Sequence, residues 1–218
     1  PFIFYSNIDG RGTLRLADVS DPFKPREALL FTNVPPLLNS WAYGTVAFSK
    51  NGDLIAGGNY VPAFARIKFK GLDAQGNPAF DFANAEKVGA PKDPVATRDM
   101  KPIGALTSDR SSGDIYYLAV TTNYCKMVPA WGADGTGVGK STPDGKPLWF
   151  SLSSGGNYMS ISSANDGKNA WILAGKSFGG QIDLYDADGL RLTTGNWGWP
   201  CNYGIGFVDL RYGVHAYI

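Results

Sequence analysis

The chain has 218 residues and a formal net charge of +1, and 44% of its residues are hydrophobic, which excludes a disordered chain. Its Lys and Arg residues are scattered, so a phosphate-binding footprint is absent and we expect no nucleic-acid partner. No apolar run approaches the ~18 residues that a membrane span requires, so we expect no membrane span.

The strongest pattern along the chain is a tight turn that recurs four times. Each turn lies between a strand of small or apolar residues and a nearly continuous apolar strand. The four turns fall at residues 49–53, 112–114, 165–168 and 211–213. A short strand, a tight turn and a buried strand, repeated every few tens of residues, predict a β-propeller.

The repeat divides the chain into blades of four antiparallel strands, called a to d from the axis outward. We predict whole blades at residues 41–90, 101–154 and 157–196, and partial blades at 1–34 and 203–218. The a strands are expected at 46–48, 104–107 and 159–162, and the b strands at 54–57, 115–120 and 170–174. The c strands are expected at 65–70, near 127–131 and at 181–185. The d strands are expected after a turn at 73–78, at 148–152 and near 192–194.

The predicted fold is therefore all-β, a β-propeller of four-stranded antiparallel blades that forms an incomplete portion of a larger ring. The two partial blades both contain a b strand, so they do not combine into one four-stranded blade. Rings usually have four to eight blades. A five-bladed ring with irregular closure is the alternative.

A glycine-rich segment at residues 132–141 ends in Gly139-Lys140-Ser141, as a phosphate-binding loop does. Asp134 occupies the position where that motif needs its first glycine, and no strand-to-helix context is predicted around it. We interpret the segment as a flexible insertion between a c strand and a d strand.

Three aspartates, Asp183, Asp186 and Asp188, precede Gly189 and resemble part of a calcium loop. No Glu ends the twelve-residue pattern, and a hairpin turn explains the Asp-Gly sequence without a metal. We predict no metal site, with a metal-binding turn as the alternative, and the sequence identifies no cofactor.

One short segment is similar to a known family. Asp144-Gly145-Lys146-Pro147-Leu148-Trp149 resembles the blade signature of pyrroloquinoline-quinone dehydrogenase propellers. The resemblance implies that Trp149 docks one blade against another. The turns at 73–76 and 186–189 lack the corresponding Trp, and the adjacent cysteine pair that the family often carries is missing. The resemblance therefore bears on the fold more than on the activity.

The dipeptide Asn-Tyr occurs four times, in segments that the blade assignment places on one face of the propeller. Two copies fall in b–c loops and two in d–a loops, and further aromatic residues lie in the d–a loops. Such residues can stack on a sugar or another flat polar ligand and hydrogen-bond to it. Turn and packing chemistry is the alternative explanation. The predicted ligand-binding residues are Trp41, Tyr43, Asn59, Tyr60, Asn123, Tyr124, Asn157, Tyr158, Trp197, Trp199, Asn202 and Tyr203.

The only two cysteines, Cys125 and Cys201, fall in loops on that same face. A disulfide between them would suit an oxidising compartment, and two separate thiols are the alternative. The only histidine, His215, lies in an apolar b strand. A His-based metal site or a Ser-His-Asp triad within this chain is therefore not expected.

These observations predict a binding or assembly module in the periplasm or outside the cell. Its expected partners are the remaining blades or another protein chain, and a carbohydrate or a small polar ligand. Whether it is an enzyme is left open, since propellers host binding, scaffolding and catalysis alike. The alternatives are the propeller portion of a quinoprotein-type or other redox enzyme, and a structural subunit of a larger complex.

Overall fold

The fold is built from antiparallel strands. The computed structural model describes residues 2–6, 14–31, 45–57, 64–88, 100–109, 111–121, 136–152, 158–165, 169–176, 181–196, 206–210 and 213–217. Among these residues the one helix is a 3₁₀ helix, Phe82–Asn84. None of the described segments forms a helix with the length and apolar character needed to cross a bilayer.

The described residues form nineteen strands. The strands are β1 Phe2–Ser6, β2 Leu14–Asp18, β3 Arg26–Phe31, β4 Thr45–Phe48, β5 Leu54–Gly57, β6 Phe64–Ile67, β7 Phe69–Leu72, β8 Pro78–Phe80, β9 Glu86–Val88, β10 Met100–Ser108, β11 Ile115–Thr121, β12 Thr136–Ser141, β13 Pro147–Leu152, β14 Tyr158–Asn165, β15 Ala170–Lys176, β16 Gln181–Asp186, β17 Arg191–Asn196, β18 Gly206–Leu210 and β19 Gly213–Tyr217.

Three sheets have four strands each, and their strands follow one another in chain order. Sheet I has the order β4-β5-β6-β9, sheet II has β10-β11-β12-β13, and sheet III has β14-β15-β16-β17. A three-stranded sheet, β1-β2-β3, precedes them, and a two-stranded sheet, β18-β19, follows them. The β7-β8 hairpin is inserted between the last two strands of sheet I.

The first strands of successive sheets lie next to one another. β4 contacts β10, β10 contacts β14, and β14 contacts β18. Each sheet is thus a blade that packs against the next one, with its first strand toward a common centre, which is the arrangement of a β-propeller. The predicted all-β fold of four-stranded antiparallel blades is confirmed. Within the described residues, β1 and β18 belong to separate sheets, and the number of blades in the intact ring stays a prediction.

The apolar cores lie between neighbouring sheets. Between sheets II and III, Leu118 and Val138 pack against Ile172 and Ala174. Between sheets I and II, Ile55 and other apolar residues of sheet I pack against residues such as Ile115 and Ala119. The second strand of each blade contributes to these cores, as the continuous apolar sequences predict. Burial of such side chains contributes roughly 1.5–3 kcal/mol each.

Five-residue turns connect several of the strands, and they share one hydrogen-bond pattern. The first residue is Ser, Thr or Asp, and its side-chain oxygen accepts from the backbone N–H of the fifth residue at 2.8–3.1 Å. The fourth residue is a glycine with φ between 79° and 84°, a left-handed conformation that other residues rarely adopt. The turns start at Ser49, Asp73, Thr142 and Asp186. A local signal in the sequence therefore fixes where these strands reverse.

The glycine-rich segment differs from its prediction. Residues 132–135 lie outside the described residues, but Thr136–Ser141 is strand β12, paired with both β11 and β13. The expected flexible insertion is wrong for these residues, because their amides belong to a sheet ladder. A Cβ built on Gly139 would lie 2.2 Å from Tyr117 Cζ, so the glycine makes room for a buried ring. The third strand of sheet II is therefore β12, and the expectation of a c strand near 127–131 is wrong. Residues 127–131 themselves lie outside the described residues.

Adjacent sheets are also linked through the turn that joins the third and fourth strands. The Trp149 indole N–H of sheet II donates to the Ala187 carbonyl in the sheet III turn at 2.8 Å. A Cβ built on Gly189 would lie 2.7 Å from the same ring, so the indole packs closely on that turn. One sheet earlier, Arg66 of sheet I pairs with Asp144 in the turn of sheet II. Trp149 thus docks one blade against the next.

Candidate functional site

The two ends of the sheets differ in their connections. We call the end at which each first strand finishes the turn end, and the end at which it starts the loop end. The turn end has the five-residue turns, together with the β7-β8 hairpin in sheet I. The loop end has connections that include residues 32–44, 89–99 and 122–135. The longest connections between successive described strands are therefore gathered at one end.

The loop end of sheet III carries the most deeply buried charged residues of the described chain. Tyr158, at the start of β14, is paired in register with Lys176, at the end of β15. Tyr158 is 0% exposed and Lys176 is 1% exposed. On β16, Asp183 and Tyr185 are both 0% exposed, and they lie on one face of the strand because they are two residues apart.

These four side chains form one hydrogen-bonded network, which we call the loop-end network. The Tyr158 hydroxyl donates to Asp183 Oδ2 and lies 2.7 Å from the Tyr185 hydroxyl. Thr194 Oγ1 donates to Asp183 Oδ1 at 2.6 Å. Lys176 Nζ lies 3.6 Å from Asp183 Oδ2 and donates to Gln181 Oε1 at 2.9 Å. Both oxygens of the buried carboxylate are therefore engaged.

Burial sets the protonation of the two tyrosines. It raises the pKa of Tyr185 to about 12. Burial, reinforced by the neighbouring Tyr185 and Asp183, raises the pKa of Tyr158 well above its usual value. Both phenols therefore keep their protons at neutral pH and act as hydrogen-bond donors. A buried carboxylate needs such donors and a nearby cation, because an unpaired buried charge is costly.

The members of the loop-end network are buried in this structure. The ion pair joins β15 to β16, and the Tyr158 bonds join β14 to β16. Residues 153–157 and 177–180 connect to these strands at the loop end. A rigid base at the ends of connecting segments is the usual way in which a scaffold positions binding residues.

Most predicted site residues lie outside the described part of the chain. Tyr158 is the exception, and its ring is buried in the blade interface. For the others, ligand stacking and the disulfide stay predictions. The residues outside the described ranges are Trp41, Tyr43, Asn59, Tyr60, Asn123, Tyr124, Asn157, Trp197, Trp199, Asn202 and Tyr203, together with Cys125 and Cys201.

Sequence reasoning missed Lys176 and Tyr185, and it grouped Asp183 with a calcium-like turn rather than with a buried ion pair. One signal was available: Asp183 alternates with Ile182 and Leu184 in a strand, and Lys176 closes a run of apolar residues. Charged residues are almost never fully buried unless they are paired. The pairing itself depends on strand register and cannot be seen in the sequence.

The turn after β16 uses its aspartates for local structure. Asp186 Oδ1 accepts from the backbone N–H groups of Asp188 and Leu190, at 3.0 and 2.8 Å. Within the described ranges, no group of three or more His, Cys, Asp or Glu side chains could hold a metal ion. The hairpin interpretation accounts for Asp186 and Asp188, while Asp183 belongs to the loop-end network.

The sequence matches no protein-family model and no curated protein. Among solved structures, 26 chains match. A putative gluconolactonase is 13% identical with a TM-score of 0.44, and the match covers 90% of this chain and 62% of that one. The dihydro-heme d1 dehydrogenase NirN in complex with DHE is 12% identical with a TM-score of 0.37, covering 88% of this chain and 44% of that one. The chain thus spans less than two thirds of either protein.

Proposed function

We propose that this chain is the propeller part of an extracytoplasmic binding or assembly module whose ligand face is the loop end. The observation that carries the proposal is the segregation of connections. Short turns held by their own hydrogen bonds occupy one end, while the connections of the other end include 32–44, 89–99 and 122–135. Binding residues are found disproportionately on loops that a rigid scaffold positions.

The composition of the loop-end connections supports a polar, ring-shaped ligand. They contain the Asn-Tyr pairs and the flanking tryptophans. Aromatic rings supply stacking surfaces, and asparagine amides both donate and accept hydrogen bonds. A carbohydrate or a similar polar ligand fits that chemistry. The loop-end network adds a rigid base under one part of this face.

The two cysteines support the extracytoplasmic part of the proposal. Cys125 lies in the connection between β11 and β12, and Cys201 in the one between β17 and β18. Both connections join strands at the loop end, so a disulfide would tie two blades together at the ligand face. Such bonds persist in oxidising compartments.

A redox enzyme is the second candidate. The specific observation is that Trp149 docks on the next blade, as the quinoprotein resemblance implies. The ultraviolet-visible spectrum of the purified protein tests this candidate. A quinone or haem band would favour it, whereas a spectrum of protein chromophores alone favours the binding module or a structural subunit.

The test of the binding proposal uses an array of neutral oligosaccharides, followed by calorimetry on the tightest binder. Tyr124→Ala and Tyr203→Ala each remove one ring from the loop end. The loss of one stacking contact, about 1 kcal/mol, predicts roughly fivefold weaker binding for each variant.

Leu72→Ala is the control at the opposite end. Leu72 is 66% exposed in the β7-β8 hairpin at the turn end, so its removal should leave affinity unchanged. If both tyrosine variants bind like the parent protein, or if the parent binds no oligosaccharide on the array, the proposed ligand face is rejected.

A further inference from the structure

A second open site lies at the opposite end of the blades. A cleft of about 540 Å³ opens between the first strands of sheets I, II and III. This volume is within the ~300–1,000 Å³ range of small-molecule sites. Its walls include Val46, Phe48 and Lys50 from sheet I, Leu106, Thr107 and Asp109 from sheet II, and Ser163 from sheet III. We call it the turn-end cleft.

The walls of the cleft carry an organised row of hydroxyl groups. Ser163 Oγ donates to the Ser108 carbonyl at 3.0 Å, and it lies 2.9 Å from Thr107 Oγ1. Because Ser163 has one hydroxyl proton, Thr107 is the donor of that second bond. The bonds join sheets II and III, and they leave the Thr107 oxygen with acceptor capacity. Ser162 of sheet III and Ser49 of sheet I also line the cleft.

The cleft has one positively charged and one negatively charged side chain, so its net charge is zero. Lys50 is an exposed cation at the rim. Burial alone would raise the pKa of Asp109, but hydrogen bonds from Ser111, Ser112 and Tyr116 hold that pKa below its usual value. Asp109 is therefore an anion at neutral pH. One positive and one negative group give no net preference for a charged ligand.

Asp109 is a fixed part of the wall. Its Oδ1 accepts from the Ser111 and Ser112 backbone N–H groups and from Asn165 Nδ2, at 2.8, 3.2 and 3.1 Å. Its Oδ2 accepts from the Tyr116 hydroxyl at 3.1 Å. The Asn165 contact links sheets II and III, so the shape of the cleft is set before any ligand arrives.

One wall of the cleft is apolar. Phe48 is 40% exposed beside Val46, while the hydroxyl groups lie on the neighbouring strands. Sugars and polyols combine hydroxyl groups with C–H faces, and an aromatic ring beside hydroxyl groups complements both. We propose that the turn-end cleft binds a neutral polyhydroxylated ligand, a monosaccharide, a disaccharide or a polyol, independently of the loop-end ligand face.

The test titrates the whole protein with neutral monosaccharides, disaccharides and polyols, and with the corresponding uronic acids. Calorimetry gives the affinity, and methyl NMR of the parent protein gives the location. We expect a neutral ligand to bind and to shift the methyl signals of Val46 and Leu106. Thr107→Val removes one hydroxyl with little change of shape and should weaken that binding at least fivefold.

Thr193→Val makes the same chemical change on the exposed strand β17 and should leave affinity unchanged. Tyr203→Ala at the loop end should also leave it unchanged, which separates this inference from the proposed function. Three results would overturn it: no panel member binds at millimolar concentration, the Val46 and Leu106 signals stay fixed on binding, or uronic acids bind more tightly than neutral sugars. If Thr107→Val does not fold, the methyl shifts of the parent protein still test the location of the ligand.

Discussion

The five-residue turns of the turn end and the loop-end network are held by interactions of different range. In the turns, Thr142 and Asp186 accept from backbone N–H groups four residues further along. In the loop-end network, the buried bond from Tyr158 to Asp183 joins residues 25 positions apart. The geometry of the turns is therefore determined by local sequence, whereas the loop-end network depends on the assembled sheet.

The loop end should be the more sensitive of the two to loss of one side chain. Asp183→Ala would leave Lys176 buried beside Tyr158 without its carboxylate partner. Removing one partner of a buried ion pair costs about 3–5 kcal/mol, so we expect a loss of this size in the free energy of unfolding. Urea denaturation followed by circular dichroism measures it.

The double variant Asp183→Leu with Lys176→Met is the matched control. It removes both charges and keeps similar volume, so it should recover most of the stability that Asp183→Ala loses. If Asp183→Ala costs less than about 1 kcal/mol, the network does not hold the loop end together.

At the turn end, Gly189→Ala should show a smaller loss. Gly189 has a φ of 83°, which costs a non-glycine residue about 1–2 kcal/mol. The added methyl group would also meet Trp149 at 2.7 Å. Thermal unfolding of this variant should therefore show a loss above the conformational cost alone.

Gly76→Ala isolates the conformational cost, because Gly76 has a φ of 79° and nothing within 4 Å of an added Cβ. The Gly189 variant should be the less stable of the two. Equal losses of stability in Gly189→Ala and Gly76→Ala would show that the contact between Trp149 and the next blade is not tight.

The indole N–H of Trp149 should contribute less to the free energy of unfolding than the glycine at position 189 does. Trp149→Phe keeps an aromatic ring but loses the bond to the Ala187 carbonyl, and a net hydrogen bond is worth about 0.5–1.5 kcal/mol. Leu148→Ala, at a half-exposed neighbouring position, is the comparison. A Trp149→Phe loss no larger than that of Leu148→Ala would show that the bond does not dock the blades.

Lowering the pH should reduce the free energy of unfolding through Asp109 at the turn end. We expect this effect to be the smallest of those predicted. Its folded-state pKa is lowered below the unfolded value of about 3.9. The resulting stability is present above that unfolded value and is lost as the pH falls through the folded-state pKa. Unfolding free energies measured between neutral pH and pH 2 should fall at the acid end, and less steeply in Asp109→Asn. Identical acid profiles would show that Asp109 makes no such contribution.

The same difference in range explains what the sequence could predict. The turns that start at Ser49 and Asp186, and the apolar second strands, rest on residues close together in the chain. The sequence predicts a flexible segment where strand β12 lies, because glycines such as Gly137 and Gly139 are typical of flexible loops. In the sheet these glycines instead make room for neighbouring side chains. The need for a glycine at position 139 comes from the Tyr117 ring on another strand, so the local sequence does not reveal it.

The candidate site was predictable only in part, for the same reason. The blade assignment indicates which connections reach the loop end, so it selects the Asn-Tyr pairs as candidates. It cannot tell an exposed ring from a buried one, and the Tyr158 ring is buried because Asp183 and Tyr185 pack beside it. Such burial is decided by cross-strand register.

A structure of the chain bound to its tightest neutral oligosaccharide tests the central claim most directly. The claim is that the loop end is the ligand face. We predict a sugar ring stacked on at least two of Tyr60, Tyr124, Trp199 and Tyr203, with Tyr158 still bonded to Asp183 beneath them. Loop-end aromatic residues buried between blades as Tyr158 is, with no ligand at that end, would contradict the claim.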